Sequence, residues 1–118
     1  MNHQSKIQEL KRIHSLFMSN CPEGCLKWSN ESFEHFNIKS QVFYWLKKNN
    51  YSCWSEPVLK GFQKRPDLLC LHNSGCFAYI IEIVKSETTK SIKNKEGIYP
   101  LPILFVNANK FNYEKFYI

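Results

Sequence analysis

A chain of 118 residues has the length of one compact domain, and 43% apolar with 15% aromatic residues excludes a disordered tail. Sixteen Lys and Arg against ten acids leave a formal charge of +6, which suits a polyanionic partner because each neutralised phosphate releases counterions. No stretch approaches the roughly 18 apolar residues of a membrane span, and MNHQSKIQELKR lacks the apolar core of a signal peptide. The expectation is a cytoplasmic protein with no membrane contact and reduced thiols, which five cysteines, an odd number, also suit. Cys21 and Cys25, spaced C-x3-C, are a weak zinc signal with His14 or His35. Cys53, Cys70 and Cys76 lie in or beside apolar runs and read as small core residues.

In chain order, Ile7, Leu10, Ile13, His14 and Phe17 recur at three- and four-residue intervals, predicting an N-terminal helix over 4–18. Pro22 and Gly24 mark a loop from 20 to 30. Phe36, Lys39, Val42, Phe43 and Leu46 predict a second helix, with Asn30 or Ser32 as cap and Asn49-Asn50 as its end. The periodicity then shifts towards two. Residues 51–60 read as a first strand, 65–72 as a second, and Asn73-Ser74-Gly75 as a hairpin turn into a third at 76–84, apolar on both faces and therefore central. A short exposed helix is expected over 86–96 with Gly97 as its C-cap, then a buried strand at 103–107 and an aromatic tail. A hairpin followed by a helical crossover gives an α/β fold, with a mixed four-stranded sheet flanked by helices and an extra N-terminal helix. The chain is expected to form a single domain over 1–118: an N-terminal helix and Cys-containing loop (1–30), a core (31–107) and a C-terminal tail (108–118).

Acids fall at informative places. Asp67 is the single aspartate of the chain and lies in PDLLCL, Glu82 lies in YIIEIV, and Glu56 lies in the first strand. A carboxylate in an apolar strand is costly unless it is paired or metal-bound. Hairpin-related strands can bring Asp67 and Glu82 together, where a divalent cation relieves their repulsion. Each acid also has a plainer reading: Asp67 as a strand-start residue bonded to turn amides, Glu82 in an ion pair with Lys85, Arg65 or Lys39, and Glu56 as an edge-strand acid. Trp28, Trp45 and Trp54 read first as core or interface residues, and Trp54, two residues before Glu56 on the same strand face, is the best base-stacking candidate of the three.

Arg65-Pro66-Asp67, followed after fourteen residues by Glu82-Ile83-Val84-Lys85, resembles the PD-(D/E)xK nuclease superfamily, which includes Holliday-junction resolvases and competence CoiA-like nuclease domains. The helix with His35 and Lys39 one turn apart, ending Leu46…Tyr51, is similar to the helix that leads into the CoiA-like core. Glu56 matches an acid often found on the first core strand. The resemblance implies a restriction-endonuclease-like core and a nuclease that cleaves DNA (RNA not excluded) with Mg2+ or Mn2+. It assigns the metal to Asp67 and Glu82, with Glu56 assisting. Its lysine belongs two residues after Glu82, where this chain has Val84, with the lysine at Lys85. In a regular strand Lys85 faces away from Glu82. A bulge can turn it back, or Lys39, Lys60 or Lys64 can take the role from a neighbouring element. His35, Lys39, Lys60, Lys64, Arg65, Lys90 and Lys93 are the expected nucleic-acid contacts, gripping backbone more than reading bases. A domain this small grips little duplex alone, and a homodimer is one arrangement that extends the contact, although the sequence does not fix the oligomeric state. The other function classes are a nuclease-fold binding or regulatory protein with impaired turnover, and a mobile-element effector acting by protein–protein contact.

Overall fold

A computed structural model of the chain describes residues 12, 17–18, 22–59, 65–75, 77–85 and 101–118. Strand β1 is Phe17–Met18, helix α1 is Phe33–Lys48, and strands β2 to β6 are Tyr51–Ser55, Val58–Leu59, Leu68–His72, Ala78–Val84 and Ile103–Asn107. Helix α1 begins where Ser32 turns extended and its hydroxyl accepts the His35 N–H at 3.1 Å, closing one of the free donors of the first turn. It ends at Asn49, whose N–H donates to the Trp45 and Leu46 carbonyls, and Asn50 takes a positive φ of 67° to leave the helix. Lys47 and Lys48 in the last turn suit the negative end of the helix dipole.

The principal sheet has the order β2-β4-β5-β6. Strand β4 runs antiparallel to β2, from Tyr51↔His72 to Ser55↔Leu68, and antiparallel to β5, from Leu68↔Ile81 to Leu71↔Ala78. The Asn73-Ser74-Gly75 turn joins β4 to β5 with Gly75 at φ 80°, a conformation that glycine adopts freely. Strand β6 adds parallel to β5, with Ile80↔Ile103 through Val84↔Asn107. Strand β5 is thus central, as its apolar faces predict. The result is the expected α/β architecture with a mixed four-stranded sheet, consistent with a restriction-endonuclease-like core.

One face of the sheet carries Tyr51, Cys53, Leu68, Cys70, Ile81, Ile83 and Val106 and packs against Ile38, Val42 and Leu46 of α1. The opposite face gathers Trp54, Leu69, Leu71, Ile80 and Leu101. Cys53 and Cys70 are direct register partners and both are buried. Burial drives the Cys70 thiol up to about 12 and raises Cys53 well above its ordinary value, so both stay protonated core residues.

Several expectations change. The strand predicted over 51–60 breaks after Ser55, because Glu56 adopts φ 48° and Pro57 has no N–H for the ladder. Val58–Leu59 instead pairs with Phe17–Met18 in a separate two-stranded sheet. Phe17 and Met18 are therefore strand rather than the end of a helix. Trp54 is 6% exposed within the second core cluster and offers no open ring face for a base. The aromatic tail contains a 3-10 turn, Tyr113–Lys115, capped by Asn112. Cys25 is exposed, while Cys21 and Cys76, His14, the rest of the predicted N-terminal helix, and the 86–96 helix with Gly97 lie outside the described residues. Among the described residues no helix is long and apolar enough to cross a membrane.

Candidate metal centre

The N-terminal end of α1 meets the start of β4 and the end of β5, and Glu31, His35, Lys39, Glu56 and Asp67 come together there. Asp67 directly precedes β4, and one of its oxygens, Oδ2, accepts the Ile83 N–H of β5 at 2.7 Å. The Asp67 carboxylate thus replaces a backbone acceptor at the end of the ladder, which fixes its position. The same Oδ2 lies 3.3 Å from His35 Nε2. The other ring nitrogen of His35, Nδ1, contacts Glu31 Oε2. Ligand atoms of Glu31, His35 and Asp67 all lie within 4.8 Å of one another, the spacing of side chains that can share one cation.

This row of carboxylate, imidazole and carboxylate sets the charge on the ring. The His35 pKa is raised to about 9, chiefly by its hydrogen bond to Asp67. Partial burial pulls the other way, and the Asp67 charge and the Glu31 contact add to the rise. At neutral pH and without a cation, His35 is an imidazolium between two acids.

Behind the row lies Lys39, fully buried at 0% exposure. Its ammonium donates to Glu31 Oε1 at 2.6 Å, to the Lys27 carbonyl at 3.0 Å and to Glu56 Oε2 at 3.2 Å, so all three N–H groups are used. The Phe36 ring, 5.5 Å from Nζ, faces the same charge. Lys39 thereby holds Glu31 by one oxygen while the other meets His35. Glu56 is held twice, by its carboxylate on Lys39 and by its N–H, which donates to the Asp67 carbonyl at 3.0 Å.

The remaining predicted site residues take different positions. The β4–β5 pairing ends at Leu68↔Ile81, so Asp67 lies just before the paired run and Glu82 just after it. Strand alternation puts the Glu82 Cβ with Ile80, on the face away from Ile81, Ile83 and α1. Glu82 is not part of the three-residue group around Asp67. Lys85 follows the parity of Ile81 and Ile83 to the helix side, where its ammonium lies 2.9 Å from Glu34 of the first helical turn. Glu82 and Lys85 thus stand on opposite sides of β5. Arg65 is exposed just before Pro66. Lys60, Lys64, Lys90 and Lys93 lie outside the described residues.

Glu31 is the residue that sequence reasoning missed. Its signal was available: Glu31, His35 and Lys39 recur every four residues, a spacing that aligns them along one helix face.

The family model described as competence protein CoiA, nuclease-like domain, matches residues 31–99, more than half of the chain. The chain belongs to this family. The CoiA nuclease-like match opens at Glu31, the first residue of the cluster, and spans His35, Lys39, Glu56, Asp67, Glu82 and Lys85. Strand β6 lies beyond it. Comparison with curated proteins and with solved structures gave no match.

Proposed function

We propose that this CoiA nuclease-like chain is a metal-dependent nuclease that hydrolyses DNA phosphodiester bonds with little sequence preference. The observation that carries the reading is the convergence of Glu31, His35 and Asp67 within 4.8 Å inside a nuclease-like family match. Two carboxylates and an imidazole fit a divalent cation: the acids alone suit Mg2+, and the ring nitrogen extends the set to Mn2+. A bound cation supplies Lewis acidity and a water of lowered pKa. The chain's own residues do the rest. Asp67 is pre-positioned by the Ile83 N–H, and Glu31 by Lys39, so neither has to reorganise to act as a ligand. Lys85 sits in an exposed ion pair with Glu34, which solvent weakens, so its ammonium is able to exchange Glu34 for a phosphate oxygen. In this reading Lys85, and not Lys39, steadies charge on the phosphate, since every donor of Lys39 is already committed. Glu82, on the other face of β5, is the alternative second carboxylate that the family resemblance names.

A second reading, a DNA-binding protein on the same fold without turnover, is favoured by one observation. The position two residues after Glu82 is Val84, and it is buried.

The test is cleavage of supercoiled plasmid and branched DNA in Mg2+ and in Mn2+. Wild type is compared with Asp67→Ala, Glu31→Ala, His35→Ala and Glu82→Ala. Cleavage lost in the Asp67, Glu31 and His35 variants supports the reading, and survival of Glu82→Ala assigns the cation to the helix cluster. Cleavage lost with Glu82→Ala but kept with Glu31→Ala moves it to the strand pair. A wild type that binds DNA and cuts nothing in either metal leaves the second reading.

A further inference from the structure

Burial of Trp54 raises the question of which rings are open instead. Among the described residues the large hydrophobic side chains that are exposed are Trp28, Phe33, Tyr44, Phe77 and Tyr117. All five are aromatic, and no described Leu, Ile or Val is classed as exposed. Two of them adjoin the candidate metal centre. Trp28 is 58% exposed and its ring lies 4.3 Å from that of Phe36, at an interplanar angle of 34°. Phe33, 73% exposed, opens α1 and lies three residues before Phe36, so the two are surface neighbours on the helix. Trp28, Phe36 and Phe33 thus form one aromatic strip across the start of the helix. Its inner member, Phe36, borders the Lys39 ammonium at 5.5 Å, and that ammonium bonds Glu31 of the metal cluster. A single side chain therefore separates the strip from the carboxylates.

We propose that Trp28 and Phe33 stack the bases of an unpaired DNA strand whose phosphate enters the Glu31–His35–Asp67 centre, so that single-stranded DNA is the ligand the site takes. The choice of ligand rests on the nuclease reading above. Open ring faces with no aliphatic side chain among them suit bases, since every base presents a π face and stacking needs nothing else. Bases inside a duplex are stacked on one another and have no face to offer. A net charge of +6 supplies the attraction that a strand of phosphates requires.

The experiment uses the full chain with Ca2+ in place of Mg2+, and a gel to show that the probe stays intact. Binding of a labelled 20-nucleotide single strand and of the same sequence as duplex is followed by anisotropy and by tryptophan emission. Wild type is expected to prefer the single strand, with emission quenched as a base covers the Trp28 ring. Trp28→Ala is expected to weaken single-strand binding by roughly five- to a hundredfold, with duplex binding little changed. Trp28→Phe keeps a ring and retains most of the affinity, and Phe33→Ala shows a smaller loss. Thermal melts check that the variants are folded. Wild-type affinity for the single strand in both alanine variants overturns the proposal, as does the absence of quenching. Failure of the wild type to bind either form also overturns it, and hands the strip to a protein partner. Tighter binding of RNA than DNA of the same sequence overturns the choice of DNA. Quenched, Trp28-dependent binding without cleavage in Mg2+ or Mn2+ upholds this proposal while the nuclease reading falls. Cleavage that needs Asp67 and ignores Trp28 does the reverse.

Discussion

His35 carries a proton because Asp67 and Glu31 face its two ring nitrogens, and that proton ties folding to pH. Its folded pKa of about 9 lies above the ordinary 6.5, so the native state holds one proton more than the unfolded state between those values. The stabilisation is fully present below about pH 6.5 and is lost as pH rises through about 9. Unfolding free energy of the cation-free chain, from urea titrations at stepped pH, is expected to fall between pH 7 and 9.5, at no more than about 1.4 kcal/mol per pH unit. His35→Gln should flatten that part of the curve. Asp67 was legible in the sequence because a lone aspartate in an apolar run demands a partner. Its partner was not, since His35 reaches it by a tertiary contact across thirty-two positions of chain. Glu31 was overlooked for a different reason. It precedes the cap Ser32, so it lies outside the helix proper although it extends the helix's four-residue rhythm.

At the scale of elements, Lys39 joins three of them: the segment before α1 through the Lys27 carbonyl, α1 itself, and the end of β2 through Glu56. The helical spacing of Lys39 with Val42 and Leu46 placed it on the apolar face, and that placement is what the structure shows. A charge there is tolerated because two carboxylates and a carbonyl surround it. Lys39→Met keeps much of the volume and takes away the ammonium that Glu31 and Glu56 share. The expected loss is about 3 kcal/mol of stability, read as a shift in urea midpoint at unchanged m-value. Strand boundaries were less legible than helix boundaries. Ser32 and Asn49 announce the ends of α1 by their side-chain chemistry. The break at Glu56 depends on a positive φ that a glutamate does not advertise, although Pro57 beside it was a warning.

For the whole molecule, the order of helix, hairpin and later strand was sufficient to give a mixed sheet with β5 at its centre, because apolar alternation and turn chemistry are local signals. Which face of β5 meets the helix was not local: it sends Lys85 to Glu34 and Glu82 to the other side, and only packing decides it. The parallel alignment of β6 with β5 has a consequence in time. Helix α1 meets β2, and β4 meets β5, through short connections, and twelve residues separate β2 from β4, whereas eighteen separate Val84 from Ile103, which pairs with Ile80. Bringing together residues that far apart in the chain costs entropy before any β5–β6 bond forms, so the rate-limiting nucleus is expected in α1 and the β2, β4 and β5 strands, with β6 docking on the downhill side of the barrier. Removing the buried Val106 side chain by Val106→Ala should then speed unfolding while leaving the folding rate nearly as it was, the two limbs being separable by stopped-flow in urea. Equal effects on both limbs would place β6 in the nucleus instead. A native-state lifetime set by a strand outside the CoiA nuclease-like match would make that strand the kinetic latch on a site to which it contributes no ligand.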